Sequence, residues 1–308
     1  MSRRTFAIAI ALGCLTAATQ AQSPAALGEM GGEFDADHFQ ALRLRAGALF
    51  GVRSHLQYGG IAAQDSRYAQ SEWHRDARAL LGLWRDRSLE TGAGIDAQVG
   101  VVEVTGHTRA IGDVDWALRP SADTGIELLA AAGLVETRPA IEEGIAYSFW
   151  GAALEQRLAP RWTFVGLAAI QPFTDGNTRS HARVRVIWDA VPEEGINLQA
   201  RWRQYRDSRP DTPAYFNPDQ YGQWLAVAAF RRRLSSWTTS GALGAGQEII
   251  HQGGTTTKAS YLAELAAEGP VAGSGRLVVS ARYSRSAGFS NSPQYWWASL
   301  GASLVVPF

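Results

Sequence analysis

The chain reads INLQARWR from Ile196 to Arg203, and this stretch decides the fold. Its even-numbered positions carry Ile, Leu, Ala and Trp, and the positions between them carry Asn, Gln and two Arg. Successive side chains of a β-strand point to opposite faces, so the stretch predicts a strand with one apolar and one polar face. The same alternation runs through residues 95–101, 181–188 and 277–283. The chain is therefore predicted to be all-β, with a different solvent on each face of its sheet.

The length of these strands and the placement of the aromatic residues favour a membrane sheet over a soluble sandwich. The strands are about ten residues long, which is what a tilted strand needs to cross a bilayer. Glycine (32 residues) and tryptophan (11) are abundant, whereas lysine occurs once. Tryptophan rings form the aromatic girdles of membrane barrels at the headgroup level. Such rings stand near predicted strand ends at Trp84, Trp116, Trp162, Trp188, Trp202, Trp224, Trp237 and Trp296.

The strand pattern predicts a transmembrane antiparallel up-and-down β-barrel of 14–16 strands. Fifteen candidate strands lie between residues 42 and 308. Bacterial single-chain barrels have an even number of strands. We therefore prefer 16, with one strand split or missed around residues 104–120. Short turns, such as 158–161 and 235–236, alternate with longer polar connections, such as 206–220. Short turns normally face the periplasm and long loops the outside.

The first residues resemble a secretory signal peptide. Arg3 and Arg4 precede a short apolar run at 6–12, and small residues at 19 and 21 favour cleavage after Ala21. The run is well below the roughly 20 residues of a transmembrane helix. A lipid anchor on Cys14, the only cysteine, is disfavoured because the preceding Leu12 is one place too late for a lipobox. The predicted organisation is a signal peptide at 1–21, a polar periplasmic lead-in at 22–40 and the barrel at 41–308.

The C-terminal segment predicts where the protein resides. Every second residue from Ala298 to Val306 is apolar, and the chain ends on Phe308. Outer-membrane barrels resemble this pattern, in which the terminal Phe is an assembly signal. The resemblance implies the barrel assembly machinery as a partner and the cell outer membrane, with its lipid and lipopolysaccharide, as surroundings. The alternative is an ordinary terminal strand that happens to end in Phe.

The polar face of the predicted strands carries the candidate functional residues. A charge on the lipid face at mid-depth costs roughly 2–4 kcal/mol, so charged positions are assigned to the lumen. The predicted pore-lining residues are Arg43, Arg45, Asp96, Arg183, Arg185, Arg201, Arg203, Glu264 and Arg282. Two interpretations remain open. The charges either pair and hold the wall rigid, or they line a conduit in which guanidinium groups bind hydroxyls or anions.

A motif near the middle of the chain carries a family resemblance. The segment YFNPDQY from Tyr215 to Tyr221 opens a strand that is followed by a Ser-Ser turn, Trp237 and a Gly-rich strand at 241–246. In this arrangement the chain resembles the C-terminal barrels of bacterial exopolysaccharide exporters, the secretion porins for cellulose and poly-N-acetylglucosamine. The resemblance covers roughly residues 145–308. It implies a porin-like conduit for an exopolysaccharide.

The chain departs from these exporters before the barrel. They carry long periplasmic arrays of tetratricopeptide repeats, whereas here only residues 22–40 lie between the signal and the first predicted strand, without such a repeat. A polysaccharide synthesis or scaffold protein is therefore expected as a separate partner.

Other functional classes receive little support from the sequence. Loss of Arg3 and Arg4 lowers the basic count from 29 to 27 against 29 acidic residues, a balance that does not suggest nucleic acid. No Gly-x-Ser-x-Gly elbow follows the signal, and no His/Cys cluster has metal spacing. Ser54-His55 and Ser180-His181 are adjacent on strands, so their side chains face apart. We expect no catalytic residue, cofactor or metal. Two alternatives to a conduit stay open: a structural or adhesive barrel with a plugged lumen, and an outer-membrane lipid hydrolase.

Overall fold

A computed structural model describes residues 24–271, 275–286 and 295–307. These residues form a closed antiparallel barrel of sixteen strands, in which each strand pairs with its neighbours in sequence and the first pairs with the last. The strands are β1 (Ala25–Asp35), β2 (Phe39–Ser54), β3 (Gln57–Gln70), β4 (Trp73–Arg87), β5 (Gly94–Val104), β6 (His107–Leu118), β7 (Thr124–Leu134), β8 (Ala146–Ala159), β9 (Trp162–Pro172), β10 (Thr178–Val191), β11 (Ile196–Asp207), β12 (Gln220–Leu234), β13 (Trp237–His251), β14 (Thr255–Val271), β15 (Gly275–Arg285) and β16 (Trp296–Pro307).

Two short helices interrupt the connections. Helix α1 spans Arg138–Glu143 and lies between β7 and β8, and a single 3₁₀ turn spans Pro192–Glu194. Thr137 caps α1 by accepting a hydrogen bond from the Ala140 amide. Within the described ranges, no helix has the length and apolar character needed to cross a membrane.

The sixteen-strand barrel is confirmed, but the strand that the sequence missed is β1. It occupies Ala25–Asp35, where we expected a periplasmic lead-in at 22–40, and that expectation is wrong for these residues. The expected split at 104–120 is also wrong, because β5 and β6 are two full strands joined at residues 105–106. Gly28, Gly31 and Gly32 conceal the alternation, since a glycine reads as neither apolar nor polar. The predicted signal peptide and Phe308 lie outside the described residues.

The two longest described connections lie at the same end of the barrel, as the sequence predicted for long loops, although two-residue turns at 71–72 and 105–106 lie there too. We call the end where β1 begins and β16 finishes the terminal end, and the opposite end the loop end. Residues 55–56, 160–161 and 235–236 are short turns at the terminal end. The long connections 135–145 and 208–219 both lie at the loop end. This asymmetry is typical of barrels whose short turns face the periplasm.

The outer surface is apolar. Leu44, Leu265 and Leu300 each expose about 61–62% of their surface, which would be costly in water but suits contact with lipid. Tryptophans stand at both rims of this apolar band, as a membrane barrel requires. The rim at the terminal end has Trp84, Trp116, Trp162, Trp188 and Trp237, and the loop-end side has Trp150, Trp202, Trp224 and Trp296.

One part of the outer surface breaks this pattern. Asp65 on β3 faces Arg78 on β4 in register, and their charged groups lie 3.4 Å apart on the exposed side of the wall. One step nearer the loop end, Arg67 faces Asp76. Charged side chains here occupy positions where alternation alone predicts lipid contact. Each is placed opposite a charge of the other sign, which moderates the cost of its position.

Glycine inside the strands allows close approach of neighbouring backbones. A Cβ atom at Gly246 on β13 would lie 2.0 Å from the carbonyl oxygen of Trp224 on β12. A Cβ atom at Gly100 on β5 would lie 1.9 Å from the carbonyl oxygen of Leu80 on β4. No side chain fits at such distances, so part of the high glycine content serves the tight pairing of adjacent strands.

Apolar clusters also lie on the inner face, near both ends. Ala25, Leu27 and Leu49 pack together near the terminal end. A larger cluster near the loop end joins the walls of β2–β6 to Ile141 of helix α1. A third apolar cluster, formed by Leu225, Val227 and Ala242, lies at mid-height on β12 and β13, and the polar remainder of the inner face holds the candidate site.

Candidate functional site: the polar lumen

The structure places all nine predicted pore-lining residues on the inner face of the barrel. Each alternates with apolar residues that face outward on the same strand. A cavity of about 1180 Å³ opens at the loop end and extends down the lumen. Six of the nine residues line it: Arg43, Arg45, Arg183, Arg203, Glu264 and Arg282. Asp96, Arg185 and Arg201 lie on the inner face but outside the cavity lining.

On the wall formed by the first six strands, the lumen arginines of β2 and β4 have acidic partners, whereas Arg109 on β6 donates to the Gly144 carbonyl at 3.0 Å. Arg45 lies 2.8 Å from Glu29, and Arg43 lies 2.8 Å from Glu33. On the neighbouring strands the side chain of Arg85 contacts Asp96 at 2.5 Å. Half-buried charges in contact are held in place and cancel one another. For this wall, the interpretation as a rigid ion-pair network is the better one.

The same pairing continues lower on the wall and across the barrel. Arg87 on β4 lies 2.9 Å from Asp115 on β6, and Arg276 on β15 lies 2.6 Å from Glu268 on β14. Glu29 and Glu33 belong to β1, so sequence reasoning missed both acids together with their strand. Their alternation with Met30 and Phe34 is the signal that could have revealed them.

The wall formed by β10 and β11 is different. Arg183 lies directly opposite Arg203, and Arg185 lies directly opposite Arg201. Directly opposed residues of an antiparallel pair have Cβ atoms about 4.5–5.5 Å apart. The four guanidinium groups therefore form one basic patch, which we call the arginine quartet. The sequence placed these residues on one face, but the register that brings them together comes from the structure.

Members of the quartet differ in their partners. Arg201 lies 3.5 Å from Glu264 in an ion pair, and its Nε donates a hydrogen bond to the Gln199 side chain at 2.8 Å. Arg203 donates to the Tyr221 hydroxyl at 3.0 Å and to Ser286 at 3.3 Å, and both of these partners are neutral. Among the described residues, neither Arg183 nor Arg185 has a hydrogen bond or an ion pair.

Aromatic rings border the arginine quartet on its loop-end side. Tyr205 stacks on Tyr221 with ring centroids 4.8 Å apart, and Phe173 stacks on Tyr215 at 4.9 Å. The guanidinium of Arg179 lies 4.3 Å from the Tyr205 ring centroid, close enough for a cation–π contact. These four rings are buried and pack the wall against the loop, whereas Tyr147 and Trp297 are partly exposed in the cavity lining. Tyr215 belongs to the motif on which the family resemblance rests.

Two long loops fold inward and narrow the mouth. Loop 135–145 contacts loop 208–219 through a hydrogen bond from the Thr137 hydroxyl to the Ala214 carbonyl. The first loop is tied to the wall by Glu136, which pairs with Arg43. Burial raises the pKa of the Glu136 carboxyl above its usual value, and Arg43 opposes that rise. The mouth is therefore shaped by loops, while the wall below it is shaped by strands.

Asn177 is the centre of the second loop's attachment, and no sequence pattern indicated this role. Its side chain is buried at 1% exposure. The amide donates to Asp207 at 2.7 Å and to the Tyr215 hydroxyl at 3.1 Å. Its oxygen accepts from the backbone amides of Ser208 at 3.1 Å and Arg209 at 3.0 Å. One buried side chain thus fixes both the start of loop 208–219 and its aromatic tip.

The histidines of the two Ser-His pairs, His55 and His181, lie in different parts of the barrel. The His181 ring contacts the Gln171 side chain at 2.9 Å on the lumen side. Over the described ranges, no group of three or more His, Cys, Asp or Glu side chains is arranged to hold a metal ion. His55 lies in the turn between β2 and β3, away from the arginine quartet.

Comparison with known proteins confirms the resemblance at the level of the fold. A solved structure described as a bacterial polysaccharide outer membrane secretin is similar, with a TM-score of 0.66 and 12% identity, over 92% of this chain and 98% of that one. CdiB from Acinetobacter baumannii is similar with a TM-score of 0.52 and 10% identity, over 92% of this chain and 60% of that one. No protein-family model and no curated protein matches the chain by sequence.

Proposed function

We propose that this protein is an outer-membrane channel, and that it is a conduit for a bacterial exopolysaccharide. The observation that carries the proposal is the composition of the 1180 Å³ cavity, in which guanidinium groups stand beside aromatic faces. Guanidinium groups donate several hydrogen bonds to hydroxyl oxygens. Aromatic faces offer flat apolar surface to the equally flat apolar sides of sugar rings. A polar chain with ring-shaped units matches both features.

The barrel itself supports the membrane part of the proposal. Its apolar outer surface and its two tryptophan rims suit a bilayer. Its fold is shared with a barrel whose description names polysaccharide and outer membrane, and that likeness is consistent with the proposal. The expected partners are the outer-membrane lipids, lipopolysaccharide, the barrel assembly machinery and a separate synthesis or scaffold protein.

A structural barrel with a plugged lumen is the second candidate. The observation in its favour is the inward fold of loops 135–145 and 208–219, which are tied to each other and to the wall. Loops of this kind either narrow a passage or close it. Permeability separates the two outcomes.

The test is permeation of saccharides through the reconstituted barrel. Liposomes that contain the folded protein are challenged with linear glucan oligosaccharides of increasing length, and swelling is followed by light scattering. Protein-free liposomes and liposomes with heat-denatured protein are the controls. The proposal expects swelling with disaccharides and trisaccharides that declines with chain length. Absence of swelling with every sugar would contradict it and favour the plugged barrel.

A further inference from the structure

The charges on the inner face are unevenly distributed around the barrel. On β1–β6, lumen acids and arginines alternate from strand to strand and lie in contact as ion pairs. On β10 and β11 the inner face carries Arg183, Arg185, Arg201 and Arg203. Within the described residues, one member of this arginine quartet, Arg201, has a carboxylate within the 4.0 Å of an ion pair. Positive charge is thus concentrated on the wall formed by β10 and β11, and Arg282 on β15 adds one further lumen arginine without an ion pair in the described residues.

In the described part of the chain, the nearby acids do not form ion pairs with Arg183 or Arg185. Glu127, Glu155 and Glu264 act on Arg185 through space, without an ion pair to it. Glu248 is buried beside the quartet, but its carboxylate accepts hydrogen bonds from Tyr221 and Ser286, at 3.0 Å and 2.7 Å. These two hydroxyls stand between Glu248 and the guanidinium of Arg203. The positive charge of Arg183 and Arg185 therefore remains available in the lumen.

The cationic groups on β10 form a line along the direction of passage. Arg179, Arg183 and Arg185 point into the lumen, and the imidazole of His181 occupies the alternate position between Arg179 and Arg183. Alternate residues of a strand are about 6–7 Å apart, so the line extends about 20 Å from the loop end toward mid-barrel. Arg179 at its top is paired with Asp207, whereas Arg183 and Arg185 lower down have no ion pair within residues 24–271, 275–286 and 295–307. An extended chain that runs along this wall meets successive cationic groups.

We infer that the conduit takes an acidic polysaccharide, whose carboxylate groups bind the arginine quartet as the chain passes. The inference rests on the proposed function, because it presumes a passage for a polymer. Opposed arginines repel each other unless an anion lies between them, and carboxylates are the groups that guanidinium forks bind best. A series of weak, evenly spaced sites holds a polyanion without trapping it, since release from one site is offset by binding at the next. Tyr147 and Trp297, which line the cavity and are partly exposed, supply the flat surface for the sugar rings.

The experiment measures block of ion current in planar bilayers by oligosaccharides of matched length. The probes are hexagalacturonate, which carries a carboxylate on every ring, maltohexaose, which is neutral, and monomeric galacturonate at equal carboxylate concentration. The variant is Arg183→Gln with Arg185→Gln. The matched control is Arg231→Gln with Arg233→Gln, which removes the same charge from exposed positions of β12 at the terminal end. Heat-modifiable gel mobility verifies that each variant is folded.

For the wild type, we expect half-maximal block by hexagalacturonate at a concentration at least tenfold below that of either other probe. The Arg183/Arg185 variant should lose most of this difference, and the Arg231/Arg233 control should keep it. If the wild type conducts and the acidic and neutral hexamers block it equally, this inference is wrong. The proposal that the barrel is a conduit is then unaffected. Equal block by monomeric galacturonate also overturns it, because the lumen then binds small anions only. Absence of conductance in the wild type overturns both proposals.

Discussion

At the scale of single residues, the decisive property is which side of the wall a side chain faces. Val184 and Arg185 are neighbours on β10. Val184 is opposite Trp202, whose ring is exposed on the outer surface, and Arg185 is opposite Arg201 in the lumen. Two consecutive side chains of β10 therefore face different surroundings, one the lipid and the other the lumen. Substitutions at these two positions test that assignment directly.

We predict that Val184→Arg is more harmful than Arg185→Val. The first change puts a charge into lipid, at a cost of roughly 2–4 kcal/mol near mid-depth. The second removes a lumen charge that has no ion-pair partner in the described part of the chain, so little is lost. Urea titrations of folding into lipid vesicles measure both. Equal free energies of unfolding for the two variants would mean that the faces are assigned wrongly.

Close backbone approach gives a second prediction at this scale. Gly246→Ala places a methyl group 2.0 Å from the Trp224 carbonyl oxygen, which the two strands must separate to accommodate. We expect a loss of roughly 1–3 kcal/mol, the usual cost of overpacking. Gly222→Ala on the same hairpin is the control, because a Cβ atom there meets nothing within 4 Å. The same titration should find it neutral or slightly stabilising. A harmless Gly246→Ala would contradict the tight pairing of β12 and β13.

At the scale of elements, β16 closes the barrel by pairing with β1 over eleven residue positions. The sequence pattern predicts that the terminal Phe308 after this strand is an assembly signal. We expect deletion of Phe308 to lower the amount of folded barrel in the outer membrane, measured by heat-modifiable gel mobility. Phe308→Tyr serves as the control that retains an aromatic terminus. An unchanged folded yield after deletion would count against the signal.

Loop 208–219 is the element whose position depends most on one side chain. Asn177→Ala removes the hydrogen bonds that hold Tyr215, Ser208 and Arg209. We expect the loop to leave the mouth while the barrel stays folded, so that chymotrypsin cleaves after Phe216. Asn197→Ala on β11, near the terminal end, is the matched control and should remain resistant. Resistance of the Asn177 variant, followed by gel and mass spectrometry, would show that other contacts hold the loop.

The sequence predicted the strands well because alternation is a local property. The residue pattern of a run such as 196–203 predicts both the strand conformation and which side chains share a face. The sequence analysis missed β1, because its glycines and alanines differ little in polarity and the alternation is weak there. The candidate site was predicted only as a set of inward positions. Register, the pairing of Arg43 with Glu136 and the inward fold of the loops depend on contacts between distant residues, which no local pattern encodes.

At the scale of the whole molecule, the barrel combines a rigid paired wall with an opposite wall that carries unpaired positive charge. Paired charges on β1–β6 hold the wall of the lumen in place, and we expect the arginine quartet to favour anions. Positive charge in a narrow, low-dielectric passage raises the local concentration of anionic solutes. Ion current through the barrel is therefore the property that depends most directly on this distribution of charge.

Single-channel recording in planar bilayers under a salt gradient therefore tests the central claim, that the lumen is an open passage governed by the arginine quartet. The account predicts discrete conductance steps with anion preference in the wild type. Replacement of Arg183, Arg185, Arg201 and Arg203 by Gln should shift the reversal potential toward cations, with the barrel still folded. A wild type without conductance would contradict the passage, and an unchanged reversal potential in the four-fold variant would contradict the role of the quartet.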